Sequence, residues 1–363
     1  MAFPRVALPS RLASVARCNV FSRHIHSSPV RAAVAHPITA QGPPPKAPTP
    51  AEAFRESAAQ KGNAGSAAGA EGESQPTRAN VSLKKRFWKD VHVHGKPGEY
   101  QVLLDKRPVR TPNKDILSIP PTKPQLAHAI ALEWDVMTSA QQALKGHLIP
   151  LTSLAARAED IVREEAKGDN TTREQILTTA MRYLETDTLL CWEPERERHP
   201  LERQNDKGEH IESLREIQIR ISKDIMSFLS TKVWPGLEIV PIMDTQSILP
   251  VAQPKATQEA IRAWVQGLEA HDLAGLERGI LASKSLLVAV RLVAEWSENF
   301  RHVQQNGNGR KKFGLEEATE ASSLEVKWQT DMWGEVEDTH DVDKEDLKRQ
   351  LGSVVILVSG ETR

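Results

Sequence analysis

The sequence predicts an α+β protein, with a small β-rich N-terminal domain and its covering helix followed by an all-α helical bundle. Two observations predict it. Between residue 84 and about residue 120, apolar residues alternate in short runs bounded by turn formers, the period of half-buried strands. After Pro150 they recur at three- and four-residue steps almost without a break, the period of helices packed on one face. Residues 1–80 carry neither pattern.

The opening segment, residues 1–32, is rich in arginine and serine. Arg5, Arg11, Arg17, Arg23, Arg31 and Lys46 all precede the first acid, Glu52. A cationic, acid-free leader of this kind is the composition of a mitochondrial transit peptide. The run Arg23-His-Ile25-His-Ser-Ser28 fits two-step processing, so cleavage is expected near Ile25 or Ala33. Residues 33–80, dominated by Pro, Ala, Gly, Ser and Gln, bury too little apolar area to offset ordering entropy and are expected to be a disordered linker.

Composition narrows the function classes. The chain has 363 residues and a net charge of −1, and most of its early charge is basic, so the body is mildly acidic. A nucleic-acid binder usually carries a basic patch instead. Of two cysteines, Cys18 lies in the expected leader and Cys191 is left without an internal partner. No apolar run approaches the roughly 18–20 residues of a membrane span. The expectation is a soluble monomer with no cofactor, no nucleic acid and no membrane among its partners.

The N-terminal domain is expected over residues 81–150. Phe87, Lys89, Val91 and Val93 would share one strand face, with Trp88, Asp90, His92 and His94 on the other. Gly95-Lys-Pro-Gly98 and Asp105-Lys-Arg-Pro108 read as turns, and Ile116 to Ile119 as a further short strand. Pro124 then sits in the first turn of a helix whose Leu126, Ile130, Trp134 and Met137 face the sheet. His92 and His94 have no third ligand at a recognisable spacing.

The helical domain is expected over residues 151–363. Thr171-Thr-Arg-Glu174 has capping-box spacing. Asp187 falls near an apolar face and needs a partner there, either an arginine such as Arg157 or Arg182 or a backbone amide. Ser283-Lys-Ser285 reads as a helix cap, and Leu286 to Trp296 as a strongly apolar helix. Asp343 is expected to cap a terminal helix running through Leu351.

No nucleotide-binding, zinc-protease, nucleophile-elbow or CxxC motif occurs. What stands out is Leu324 to Asp343, where two tryptophans adjoin a dense acidic run. Leu324, Trp328 and Met332 recur at four-residue steps with Glu325 beside them, and Gly334 is expected to end that helix. The acids beyond it lack the glycine and terminal glutamate of a calcium loop.

Seven motifs lie in order along the chain: KRFWKDV (85–91), VLLDKRPVRTP (102–112), LAHAIALEW (126–134), PLTSLAARA (150–158), YLETDTLLCW (183–192), SKSLLVAV (283–290) and WQTDMWGEVEDTHDVD (328–343). On these the chain resembles the mitochondrial F1-ATPase assembly chaperones that escort the α subunit of ATP synthase. It departs from them after Gln204, where NDKGEHIESL replaces a Trp-Asp-Pro-like motif and leaves the start of the next helix open. The resemblance implies a matrix chaperone, not an enzyme, that binds unassembled α and shields its β-contacting surface. It implies that Glu325, Trp328, Trp333, Glu335 and Glu337, with Asp338, His340, Asp341 and Glu277, form the partner-binding residues. The residues by themselves leave two rivals, a matrix enzyme with a metal at the acidic turn and a structural accessory subunit of the synthase.

Overall fold

The computed structural model describes residues 84–195, 212–243, 250–304, 312–336 and 339–361. The expected transit peptide and linker lie outside them. Among the described residues, the mixed α+β architecture is one three-stranded antiparallel sheet and ten α-helices.

Strands β1 (Val91–Lys96), β2 (Glu99–Leu104) and β3 (Arg107–Pro108) form a meander, with Val91 opposite Leu104 and Val93 opposite Val102. The turn between β2 and β3 places Asp105 at positive φ, and its Oδ1 accepts from the backbone N–H of Lys89 and of Asp90. Those two amides hold the Asp105 carboxyl below its ordinary value. The expected strand from Ile116 to Ile119 makes only isolated bridges, Arg110 to Ile116 and Tyr100 to Ile119. The strand alternation also does not extend back through Phe87. Trp88 is buried and Phe87 exposed, because Trp88 packs edge-on against Trp134 and donates its indole N–H to the Trp134 carbonyl.

Helix α1 (Pro124–Val136) covers the sheet with Leu126, Ala127 and Ile130 and is joined to α2 (Pro150–Ala166) by a carboxylate. The N-cap of α2 is Ile149, which has no side-chain acceptor to offer its free amides. Glu133 of α1 supplies it: Leu151 N–H donates at 2.7 Å, and Thr152 donates through both its amide and its hydroxyl. Helix α3 (Thr171–Glu185) begins differently from the capping-box expectation. Thr171 is already helical and lacks a capping role, and Asp169 Oδ1 accepts from both its amide and its hydroxyl.

The remaining helices are α4 (Leu214–Phe228), α5 (Lys255–Gln266), α6 (Ala270–Ser283), α7 (Leu286–Trp296), α8 (Leu315–Ser322), α9 (Leu324–Trp333) and α10 (His340–Val358). The start of α4, open in the sequence, is fixed by a capping box between Ser213 and Glu216. Helix α7 is buried on every side from Leu286 to Glu295 and packs against α6, α8 and α10. Ser285 caps it by accepting from Val288 N–H. Asp187, wholly buried, accepts from the amides of Leu287 and Leu189 and from the Ser285 hydroxyl, so its partners are backbone and hydroxyl donors and not an arginine.

Helix α10 begins at His340, with Asp343 inside its first turn and not at the cap, and it continues past Leu351 to Val358. Val354, Leu357 and Val358 are fully buried, so the apolar tail is core. Buried Lys123 fastens its end: the ammonium donates to the carbonyls of Val358 and Ser359 and pairs with Glu298 at 2.8 Å. Gly275 of α6 lets α10 approach, since a Cβ there would lie 2.7 Å from Val358 Cγ1. Beside this contact, buried Asp272 accepts from Ser297 and Asn299 through one oxygen, while the other has no hydrogen-bond partner among the described residues. Burial pushes its pKa up to about 6 against those two hydrogen bonds.

Two outcomes follow. Gly275→Ala gains up to about 1 kcal/mol of helix propensity but overpacks a stiff valine at about 1–3 kcal/mol. The net should lower Tm by a few degrees in thermal unfolding, and Val358→Ala added to it should restore part of the loss. For Asp272, the folded state keeps a proton to about pH 6 that the unfolded chain releases near pH 3.9. Its contribution to stability is therefore complete below about pH 4 and is lost as pH rises through about 6. Asp272→Asn should remove up to about 1.4 kcal/mol per pH unit of that downward slope, read from denaturant titrations across this window.

Candidate functional site

Helices α8 and α9 are consecutive and face opposite circumstances. In α8, Ala318 and Thr319 are buried beside α7 and α10. After the break at Ser323 the chain turns outward, and among the described residues of α9 none is buried. The periodic stripe therefore meets mostly solvent: Leu324 and Trp328 are half-buried, while Met332 is 60 % and Trp333 76 % exposed. Trp328 and Trp333 pack edge-to-face, with ring centroids 6.4 Å apart. Val326 and Val336 extend the exposed apolar surface on either side.

Gly334 ends the helix as expected. Its φ is +91° and its N–H donates to the Thr330 carbonyl, a conformation that favours glycine and leaves open space where a side chain would be. Glu335 and Val336 follow, both exposed. Glu337 and Asp338 lie outside the described residues. His340 then closes the turn: its Nδ1 accepts from Val336 N–H at 3.0 Å, and its own N–H donates to the Val336 carbonyl. Accepting at Nδ1 assigns the proton to Nε2 in the neutral ring. Asp341 and Asp343 occupy the first turn of α10, where carboxylates favour the helix dipole, which accounts for part of the acidic run.

A cleft of about 760 Å³ opens between α9, α10 and the end of α6, lined by Val326, Asp331, Glu335, His340, Asp343 and Leu347 among others. It brings Glu335 and His340 together. Glu325 sits at a separate, smaller notch that shares Ser322 and Val326 with the cleft. Its Oε1 accepts from Gln218 Nε2 at 3.1 Å. Gln218, on α4, also donates to the Cys191 carbonyl and accepts from Glu193 N–H. Sequence reasoning missed Gln218. The available signal is a polar residue set among Leu214, Ile217, Ile221 and Ile225, on the apolar side of an amphipathic helix.

Glu277 is not brought to either cavity. Both of its oxygens are held by Arg157 of α2 at 3.1 Å, and that hydrogen bonding raises the guanidinium pKa. Among the described residues no group of three or more His, Cys, Asp or Glu is arranged to hold a metal ion, and no helix is long and apolar enough to cross a membrane.

Known proteins resemble this chain in sequence and in fold. The model of the family described as "ATP12 chaperone protein" matches residues 85–230. The mitochondrial protein atp12 of Schizosaccharomyces pombe is 30 % identical over 273 residues, covering 75 % of this chain and 81 % of its own length. The mitochondrial protein ATP12 of Saccharomyces cerevisiae is 29 % identical over 296 residues, covering 77 % and 86 %. The crystal structure of Atp12 from Paracoccus denitrificans has the same fold, with a TM-score of 0.53 at 23 % identity over 76 % of this chain and 97 % of that one.

The Arg157–Glu277 pair gives a test of Glu277. Glu277→Ala should cost about 1 kcal/mol, because the pair is only partly exposed and doubly hydrogen-bonded. Urea titration measures that loss. Unchanged stability would release Glu277 for contact with a partner.

Proposed function

The chain belongs to the ATP12 chaperone family, and from that premise we propose that it holds the unassembled α subunit of the F1-ATPase on the exposed face of α9 and its junction with α10. It is an assembly chaperone of the mitochondrial ATP synthase that works in the matrix on an F1 subunit. Assigning that subunit as α, and the face as α9, goes further. The observation that carries it is Trp333, 76 % exposed beside exposed Met332, Val336 and Val326. Exposed apolar side chains that include a tryptophan are what a partner buries, and tryptophan is enriched among the residues that dominate binding.

The mechanism is stoichiometric occupancy. Free α presents apolar surface that will later meet β, and such surface aggregates. The chaperone face covers it, with Glu335 and Asp341 offering carboxylates near the apolar centre. No chemical step is required: β displaces the chaperone when the α–β contact is more favourable than the α–chaperone contact.

Trp333→Ser tests the assignment. The side chain is largely in solvent, so unfolding free energy should stay within about 0.5 kcal/mol of wild type. Capture of α from matrix extract should fall at least tenfold, the loss of about 1.4 kcal/mol or more at a hot spot. Undiminished capture of α, or capture of β instead, would overturn it.

A further inference from the structure

The notch beside Glu325 has about 110 Å³ of space, far below the roughly 300–1,000 Å³ of small-molecule sites. It has room for one side chain. Leu189, Ile221, Leu324 and Val326 give it apolar walls; of its four polar members, Thr188 and Ser322 donate their hydroxyls to backbone carbonyls, which leaves Gln218 and Glu325. Gln218 is nearly buried and uses both ends of its amide, donating to Glu325 and the Cys191 carbonyl and accepting from Glu193 N–H. It offers an entering group nothing further of its strongest donors and acceptors, and serves instead to hold the carboxylate at the mouth. Glu325 Oε2 is different: it takes no hydrogen bond or ion pair from any described residue. Lys327, two residues on, is turned to Glu320 at 3.6 Å.

A carboxylate with one oxygen anchored and the other open, over an apolar channel one side chain wide, complements a group with a long apolar stem and a cationic head. We infer that the notch receives one basic side chain, lysine or arginine, of the partner subunit. Its methylenes lie between Ile221, Leu189 and Val326, and its charged head meets Glu325 Oε2. The apolar face of α9 then supplies area, and the notch supplies register and selectivity. This inference rests on the proposed α-binding reading and adds the chemistry of the contact.

The test uses the purified full chain and isolated F1 α subunit, with affinity measured across a salt series. Glu325→Gln keeps an acceptor for Gln218 and removes only the charge. It should weaken binding about 10- to 100-fold, the range of a charge-assisted hydrogen bond, and flatten the salt dependence, since exposed charge pairing is screened. Ala321→Leu keeps the carboxylate but fills the notch from its rim, and should weaken binding similarly. Thermal unfolding of both variants should match wild type. Unchanged affinity in Glu325→Gln, or weaker binding with an unchanged salt slope, would overturn the basic-side-chain assignment. Wild-type chain that fails to bind α would overturn the parent reading, whereas binding that ignores both variants would overturn the notch alone.

Discussion

The structure depends on burying one helix on all sides. Helix α7 has no solvent face from Leu286 to Glu295, so its polar groups depend on partners within the protein, and Glu295 Oε1 finds none among the described residues. Its free N-terminal amides are taken by Ser285 and by Asp187, which reaches in from the turn after α3. Its one cation, Arg291, pairs with Glu295 at 2.6 Å and lies 3.6 Å from the Phe228 ring and 4.8 Å from that of Phe313. Removing one member of such a pair costs more than the pair contributes, because the other is left charged and buried. The surrounding helices are therefore fixed by chemistry as well as by shape. Asp187 ties in the end of α3, Phe228 the end of α4, and Phe313 the approach to α8.

Outside that ring the rules relax, and α9 shows how far. It follows directly on α8, which is anchored in the core, yet it keeps its own apolar stripe in contact with water. A single side chain-to-side chain bond, Gln218 to Glu325, ties its first turn to α4. The far end is defined by the Gly334 break and the His340–Val336 pair. Such an element sits at the low end of local stability, where surfaces that must engage and release a partner are usually found.

Sequence periodicity carried the fold class because both signals, alternation before residue 120 and the helical spacing after Pro150, report faces that are in fact buried. It misled wherever the period was right and the environment was not. Leu324, Trp328 and Met332 have the spacing of a core stripe, and nothing in spacing says whether a core lies opposite. Phe87 and Trp88 were assigned to the wrong faces because a tryptophan pairing 46 residues away, not strand alternation, decides which ring is buried. The continuation of the last helix past Leu351 is not legible because its anchors, Lys123 and Gly275, are remote in sequence. Gln218 was invisible for the same reason, since its partners come from three separate segments. At the candidate site, Glu325 and the tryptophans were legible as unusual, but not the notch that gives Glu325 a direction.

That direction bears on how a chaperone lets go. A face that bound α through apolar area alone would compete with β on the same terms and hold on in proportion to the area covered. A smaller apolar face with one directed charge divides the task. In the proposed complex the apolar contact would shield the surface, while the carboxylate would contribute a strength that falls as water and salt reach it. Displacement of the edge of α9 by β would open the notch to solvent, because the notch lies where α9 meets α4. Its contribution would then drop toward that of an exposed ion pair, about 0–1 kcal/mol. On the proposed reading release would become easier once begun, which suits a protein whose task ends when the permanent contact forms.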